Sequence, residues 1–150
     1  MTITVLFGCA DTIEFNAPAL QANKNYQLWR AKYYEAEVLE NGNLLITAGN
    51  NIEKMSLLLP ALKEGTYQLT DHSISKIEFV TEDKTLFATY YPSETSALID
   101  TGEVTITQIE DQMVSGTFRC IANTADGTDS VGFNQGIFYQ IPVKQGDKSK

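Results

Sequence analysis

Apolar side chains in this chain return at every second residue, and no stretch keeps a 3.6-residue period over three turns. That alternation is the pattern of a strand with one dry and one wet face. Tyr34, Ala36 and Val38 alternate with Glu35 and Glu37, and Asn41-Gly42 follows, a two-residue hairpin signal. Leu44, Ile46 and Ala48 read as the return strand. Gly49-Asn50-Asn51 turns the chain again, and Met55, Leu57 and Leu59 line one face until Pro60 ends the run. The rhythm continues through Tyr67 and Leu69, Ile77 and Phe79, Leu86, Ala88 and Tyr90, then Val104 and Ile106. It closes with a last hairpin, residues 114–122 and 131–143, across Asp126-Gly127. Turn signals recur about every 8–12 residues. Residues 24–32, with Tyr26, Leu28 and Trp29, are the nearest approach to a helix and are too short to hold one.

Sequential hairpins make chain neighbours spatial neighbours. The expectation is an all-β fold of about nine or ten antiparallel strands that hides one apolar face. An antiparallel β-sandwich does this; a closed meander β-barrel is the alternative and also removes exposed edges.

The 150 residues fit one domain. Residues 1–8 read as a signal segment, 9–24 as a tether merging into the first strand, 25–143 as a single β domain and 144–150 as a polar tail. The longest irregular stretch, residues 91–102, reads as a loop. Eleven Lys and Arg against 19 Asp and Glu give a formal net charge of −8. That balance argues against nucleic acid, whose phosphates call for a positive surface. No run of about 18 apolar residues is present to cross a membrane as a helix.

Leu6-Phe7-Gly8-Cys9 carries the features of a lipobox. A short apolar stretch ends in a small residue before Cys9, and the chain turns polar at Asp11, Thr12 and Glu14. On this reading Cys9 becomes the first mature residue and carries lipid, and the membrane is a partner through that anchor. The basic segment that precedes such a stretch is missing, which the reading ascribes to a start upstream of Met1. The competing expectation makes residues 2–7 a first strand and Cys9 an ordinary thiol. Cys120 alternates in phase with Val114, Phe118 and Ala122 and is expected in the core.

Several short motifs occur in a fixed order. Phe15-Asn16-Ala17 and Trp29-Arg30-Ala31 come first, then Leu44-Leu45-Ile46-Thr47-Ala48 and Leu57-Leu58-Leu59-Pro60. Gly65-Thr66-Tyr67, Ala88-Thr89-Tyr90 and Gly102-Glu103-Val104-Thr105-Ile106-Thr107 follow, then Ser115-Gly116-Thr117-Phe118 and Gly136-Ile137-Phe138. The succession resembles a family of small bacterial envelope lipoproteins catalogued as domain of unknown function 6252, over about Phe15 to Val143. The resemblance implies a lipid-anchored, all-β, extracytoplasmic domain, periplasmic or surface-exposed on the outer membrane. It brings no catalytic residues.

Catalytic signatures are sparse. Asp71-His72-Ser73 holds three triad residue types in a row, but successive side chains on an extended chain diverge, so a turn is expected there. One His and one free Cys fall short of a zinc ligand set. Asp126-Gly127-Thr128-Asp129 lacks the spacing of a calcium loop and reads as a hairpin turn. Glu35, Glu37 and Glu40 are expected to solvate a wet face. Trp29, Tyr33 and Tyr91 are the candidate ligand-stacking residues, on the expectation that Tyr33-Tyr34 and Tyr90-Tyr91 each point one ring inward and one outward.

No catalytic residue, metal or cofactor is assigned. The expected function is a non-enzymatic envelope module that binds a glycan or an envelope protein. A barrel carrying a small apolar ligand is the second expectation, and a carboxylate hydrolase the third.

Overall fold

The computed structural model describes residues 19–70, 73–92 and 101–145. Cys9 with its lipobox, Phe15-Asn16-Ala17, Asp71-His72 and most of the 91–102 loop lie outside the described residues.

Eleven strands form among the described residues. They are β1 (Leu20–Lys24), β2 (Gln27–Arg30), β3 (Tyr33–Val38), β4 (Leu44–Gly49), β5 (Lys54–Leu59) and β6 (Gly65–Gln68). β7 (Lys76–Val80), β8 (Leu86–Ala88), β9 (Gly102–Glu110), β10 (Met113–Asn123) and β11 (Ser130–Gln145) complete them. The fold is all-β, as the alternation requires.

The strands make one hydrogen-bonded sheet in the order β2-β1-β11-β3-β4-β5-β7-β8-β10-β9-β6, with β10 also paired to β11. The extra pairing closes a circuit from β11 through β3, β4, β5, β7, β8 and β10 back to β11. Two layers result, β2-β1-β11-β10-β9-β6 and β3-β4-β5-β7-β8, joined at β11–β3 and at β8–β10. The architecture is a sandwich whose two layers are stitched along both sides, so sandwich and barrel meet in it. Every pairing is antiparallel except β11–β3, a parallel ladder over Val143↔Ala36, Lys144↔Glu37 and Gln145↔Val38.

The layers meet over a single apolar core. Leu44, Ile46, Ala48, Met55, Leu57, Leu59, Ile77 and Phe79 are fully buried from one layer; Leu20, Ile106, Val114, Phe138 and Ile141 come from the other. Phe79 of β7 joins the layers. Its ring meets Trp29 of β2 and Phe133 of β11 edge-to-face at 5.8 and 5.0 Å. Aromatic edges and faces of opposite partial charge favour that geometry.

The turns follow the sequence closely. Asn41 Oδ1 accepts from the Asn43 amide and Gly42 takes φ +95°, a value only glycine adopts readily. Asp83 and Asp126 each accept hydrogen bonds inside their own hairpin turns, from Thr81 and Thr85 and from Thr124 and Thr128. Those bonds stabilise the charged carboxylates and hold both below the usual carboxylate range.

Ordered sheet begins at Leu20, where the expected tether merges into the first strand, and the core buries the apolar side chains of Leu20 and Ala22. The region from 24 to 32, too short for a helix, contributes to a β1–β2 hairpin in which Ala22 pairs with Trp29 and Lys24 with Gln27. Two details differ from the sequence reading. Lys144 and Gln145, expected in a polar tail, extend β11 beside β3. Tyr33 and Tyr34 both reach solvent, at 48% and 40% exposure, in place of one inward and one outward ring.

Candidate functional site

The sequence-selected aromatics divide into three situations. Trp29 is buried at 5% exposure, wedged against Phe79 and Phe133, and its Nε1 donates to Glu53 Oε1 at 2.8 Å. Glu53 Oε2 also holds Lys24 Nζ at 2.9 Å. Trp29 therefore serves the core, and its polar edge is satisfied by a half-covered ion pair; it offers no stacking surface to solvent.

Tyr33 sits across from Gly49 in the β3–β4 ladder. Its hydroxyl lies within 2.3 Å of where a Gly49 side chain would begin. The ring thus caps a strand glycine, an arrangement that restores packing lost with the missing side chain. Tyr91 follows β8 in a turn, where its ring meets Tyr90 at 4.7 Å, and Tyr90 Oη donates to Glu78 Oε2 at 2.5 Å. Tyr90 and Tyr91 do not take the two faces of one strand, because both are past the end of β8. Cys9 lies outside the described residues. The structure does not bring Trp29, Tyr33 and Tyr91 into one cleft.

A different face carries exposed apolar groups and clefts together. The outer surface of β6-β9-β10-β11-β1-β2 is a ruled platform. One row runs Thr66, Thr105, Thr117, Ile137, Gln21 and Arg30 in register across six strands. The next row is cross-linked by side chains. Gln68 Nε2 donates to Glu103 Oε1 at 3.2 Å, Arg119 approaches Glu103 at 3.5 Å, and Asn23 Nδ2 donates to Gln135 Oε1 at 2.8 Å. Ile121, Ile137 and Tyr139 stand exposed on the same face.

Two clefts open on this platform and share Arg119. The first, about 310 Å³, is lined by Gly132 with Asn23, Asn25, Tyr26, Arg119, Ile121 and Asn134 at the surface and reaches Cys120 and Phe133 below. The second, about 350 Å³, lies among Glu103, Thr117, Arg119, Gln135 and Ile137. Each is at the lower end of the roughly 300–1,000 Å³ that ligand sites occupy.

The backbone of the first cleft is unusual. Asn25 and Tyr26 form the two-residue β1–β2 loop at φ +49° and +71°. Positive φ at both positions is what the twist of such a hairpin demands, and Asn with Gly is the preferred pair. Asn25 meets the preference, and its side-chain Oδ1 accepts from the Gly132 amide while its own amide donates to Gly132 O, both at 2.9 Å. Tyr26 does not. A tyrosine there costs of order 1 kcal/mol against glycine, and the ring is 95% exposed, so packing returns nothing for it. Gln135, at φ +52°, adds a third left-handed residue, at the bulge where β10–β11 pairing slips.

Sequence reasoning missed Tyr26, Asn25, Arg119 and Asn134. Arg119 was legible, because it alternates with buried Cys120 and so points outward. Tyr26 was not, because the loop carries neither Gly nor Pro.

Of the groups with displaced pKa values, Cys120 alone lines a platform cleft, from its buried side. Burial pushes the Cys120 thiol up to about 12. Burial, with the Glu78 carboxylate beside it, raises Tyr90 further. Asp83 and Asp126 are depressed by bonds within exposed turns. Among the described residues no three His, Cys, Asp or Glu come together as a metal site.

Residues 16–142 fit the family model described as Domain of unknown function (DUF6252). That span agrees within a residue at each end with the one inferred from the ordered motifs. No curated protein and no solved structure matches the chain.

Proposed function

The chain belongs to the family described as Domain of unknown function (DUF6252), and from that premise we propose a non-enzymatic binding module held at the bacterial cell envelope. The observation that carries the binding half is the outer platform of β6-β9-β10-β11-β1-β2, where Ile121, Ile137, Tyr139 and Tyr26 are exposed beside two clefts. Apolar side chains gathered next to a cleft mark recognition surfaces more often than scattered ones do. The lipobox at Leu6-Phe7-Gly8-Cys9 carries the other half, with the acylated Cys9 as the membrane attachment.

The interior favours surface recognition over carriage of an apolar ligand. Phe79, Trp29, Phe133 and the fully buried aliphatic residues occupy the space between the layers. Binding without chemistry is favoured by the clefts, where among the described residues Arg119 and Glu103 are the only charged ones and they face each other.

Two measurements test the proposal. The intact mass of the protein from native membranes is compared with that of Cys9→Ala. A chain beginning at Cys9 with added acyl mass, lost in the variant, is the expected result; an unmodified Met1 start sinks the anchor. A photo-crosslinking residue is then placed at Ile137 in cells, with Ile52 as the control site. Adducts specific to Ile137 are expected, and equal yields at both positions remove the platform from the argument.

A further inference from the structure

The cleft over Gly132 has a composition that narrows its ligand, and the inference rests on the binding role proposed above. Four amides, those of Asn23, Asn25, Asn134 and neighbouring Gln135, ring the two adjoining clefts. Three are engaged with the protein, each at one end: Asn23 Nδ2 donates to Gln135 Oε1, and Asn25 Oδ1 accepts from the Gly132 amide. The Asn134 side chain makes no hydrogen bond among the described residues. Each amide offers both a donor and an acceptor. The one cation, Arg119, is balanced by Glu103.

At the rim of this cleft stands an aromatic residue on a backbone that penalises it. Tyr26 stands almost fully in solvent at positive φ, next to Gly132, the one platform position in that row with no side chain. The cleft thus joins apolar surface from Tyr26, Ile121 and Phe133 with polar edges from the asparagines. Residues held in unfavourable backbone regions cluster at ligand sites.

We propose that the Gly132 cleft binds a neutral saccharide, with Tyr26 stacking on the apolar face of one sugar ring and Asn23, Asn25 and Asn134 meeting its hydroxyls. A sugar presents the two chemistries the cleft presents, C–H faces and in-plane hydroxyls that each donate and accept. A purely apolar ligand would strand the amides, and a polyanion would meet one already-paired cation on a chain of net charge −8. The adjoining cleft, reached past Arg119, supplies room for a second ring, so an oligosaccharide fits better than a monosaccharide.

The test applies the full chain, its Tyr26→Gly and Asn134→Ala variants, and Tyr34→Ser as a control, to a printed array of defined plant, animal and bacterial glycans. The native chain is expected to bind a set of neutral glycans. Tyr26→Gly should weaken that binding about tenfold or more while its melting temperature holds or rises, because glycine suits the loop. Tyr34→Ser should bind as the native chain does. Amide shifts in a titration with the best array ligand should centre on Asn25, Tyr26, Gly132 and Asn134.

A silent array, or equal binding by Tyr26→Gly, overturns the saccharide assignment. Adducts at Ile137 in cells together with a silent array would leave the binding role standing with a non-glycan partner. Loss of both would remove the binding role as well.

Discussion

Cys120 lies on β10 between Gly102 of β9 and Phe133 of β11, closed off from solvent on the core side. Its thiol has no charged neighbour to stabilise a thiolate, so burial alone lifts its pKa from 9.0 to about 12. The folded state therefore holds the proton through a range in which the unfolded chain releases it. The stability from this difference is fully present below pH 9.0 and is lost progressively as pH rises toward 12. Tyr67 and Tyr90 are also raised from 10.0 and act in the same direction above that pH. Cys120→Val should accordingly lessen the fall in melting temperature from pH 9 upward toward 12; between pH 9 and 10, below the range of the tyrosines, the difference is the thiol's own. Thermal melts across that range check it, and parallel curves for native and variant would refute the assignment. At neutral pH the native thiol should react with an alkylating reagent only at the rate of unfolding.

The β10–β11 hairpin shows how a motif seen in sequence acquires a physical reason in an element. Gly116-Thr117-Phe118 on β10 faces Gly136-Ile137-Phe138 on β11 with Gly116 opposite Phe138 and Phe118 opposite Gly136. Each ring covers the glycine across from it. A side-chain carbon on Gly136 would begin 2.6 Å from the Phe118 ring, and one on Gly116 2.5 Å from the Phe138 ring and 2.1 Å from Thr105 O. The two Gly-x-Phe motifs are halves of one reciprocal lock. Gly136→Ala should then cost about 1–3 kcal/mol by overpacking. Pairing it with Phe118→Leu should recover part of that loss, because the contact is with a movable ring; denaturant titration of the four-member cycle reads the coupling. Additive losses would show that Phe118 is not what excludes the methyl.

Hairpins of this kind were legible because their signals are local. Asn41-Gly42 and Asp126-Gly127 carry turn chemistry, and residues 44–48 and 55–59 carry clean alternation. The β1–β2 turn was not, since Asn25-Tyr26 lacks the glycine that normally marks it. The candidate site suffered for the same reason. Aromatic identity drew attention to Trp29, Tyr33 and Tyr91, but identity does not say whether a ring meets the core, a glycine or solvent. Tyr26 owes its exposure to a loop conformation that only neighbours in space reveal.

At the scale of the molecule, the circuit of strands is closed by seams of very different strength. β10 and β11 pair from Met113↔Pro142 to Asn123↔Ser130. β8 and β10 meet at one pair, Asn123↔Ala88, reinforced by Asn123 Nδ2 donating to Tyr91 O at 2.9 Å. No local pattern foretells such a join, because it links segments distant in sequence and depends on both layers being in place. Its physical consequence is an order of opening. Parting β8 from β10 breaks few hydrogen bonds and leaves the short strand β8 as an edge held only by its three pairs with β7, whereas parting β10 from β11 dismantles the longest ladder and uncovers Phe118, Phe133 and Phe138. Local opening free energies scale with what each opening exposes. Native-state hydrogen exchange in rising urea should therefore show the amides of Leu86–Ala88 exchanging through a sub-global opening, well before the β10–β11 amides, which should follow global unfolding. Asn123→Ala should lower the β8 protection while leaving β10–β11 exchange tied to the global transition. Uniform protection across β8, β10 and β11 would mean that the circuit opens only as a whole, and that the single-pair seam is supported by burial of Phe87 and Ala88 more than by its hydrogen bonds.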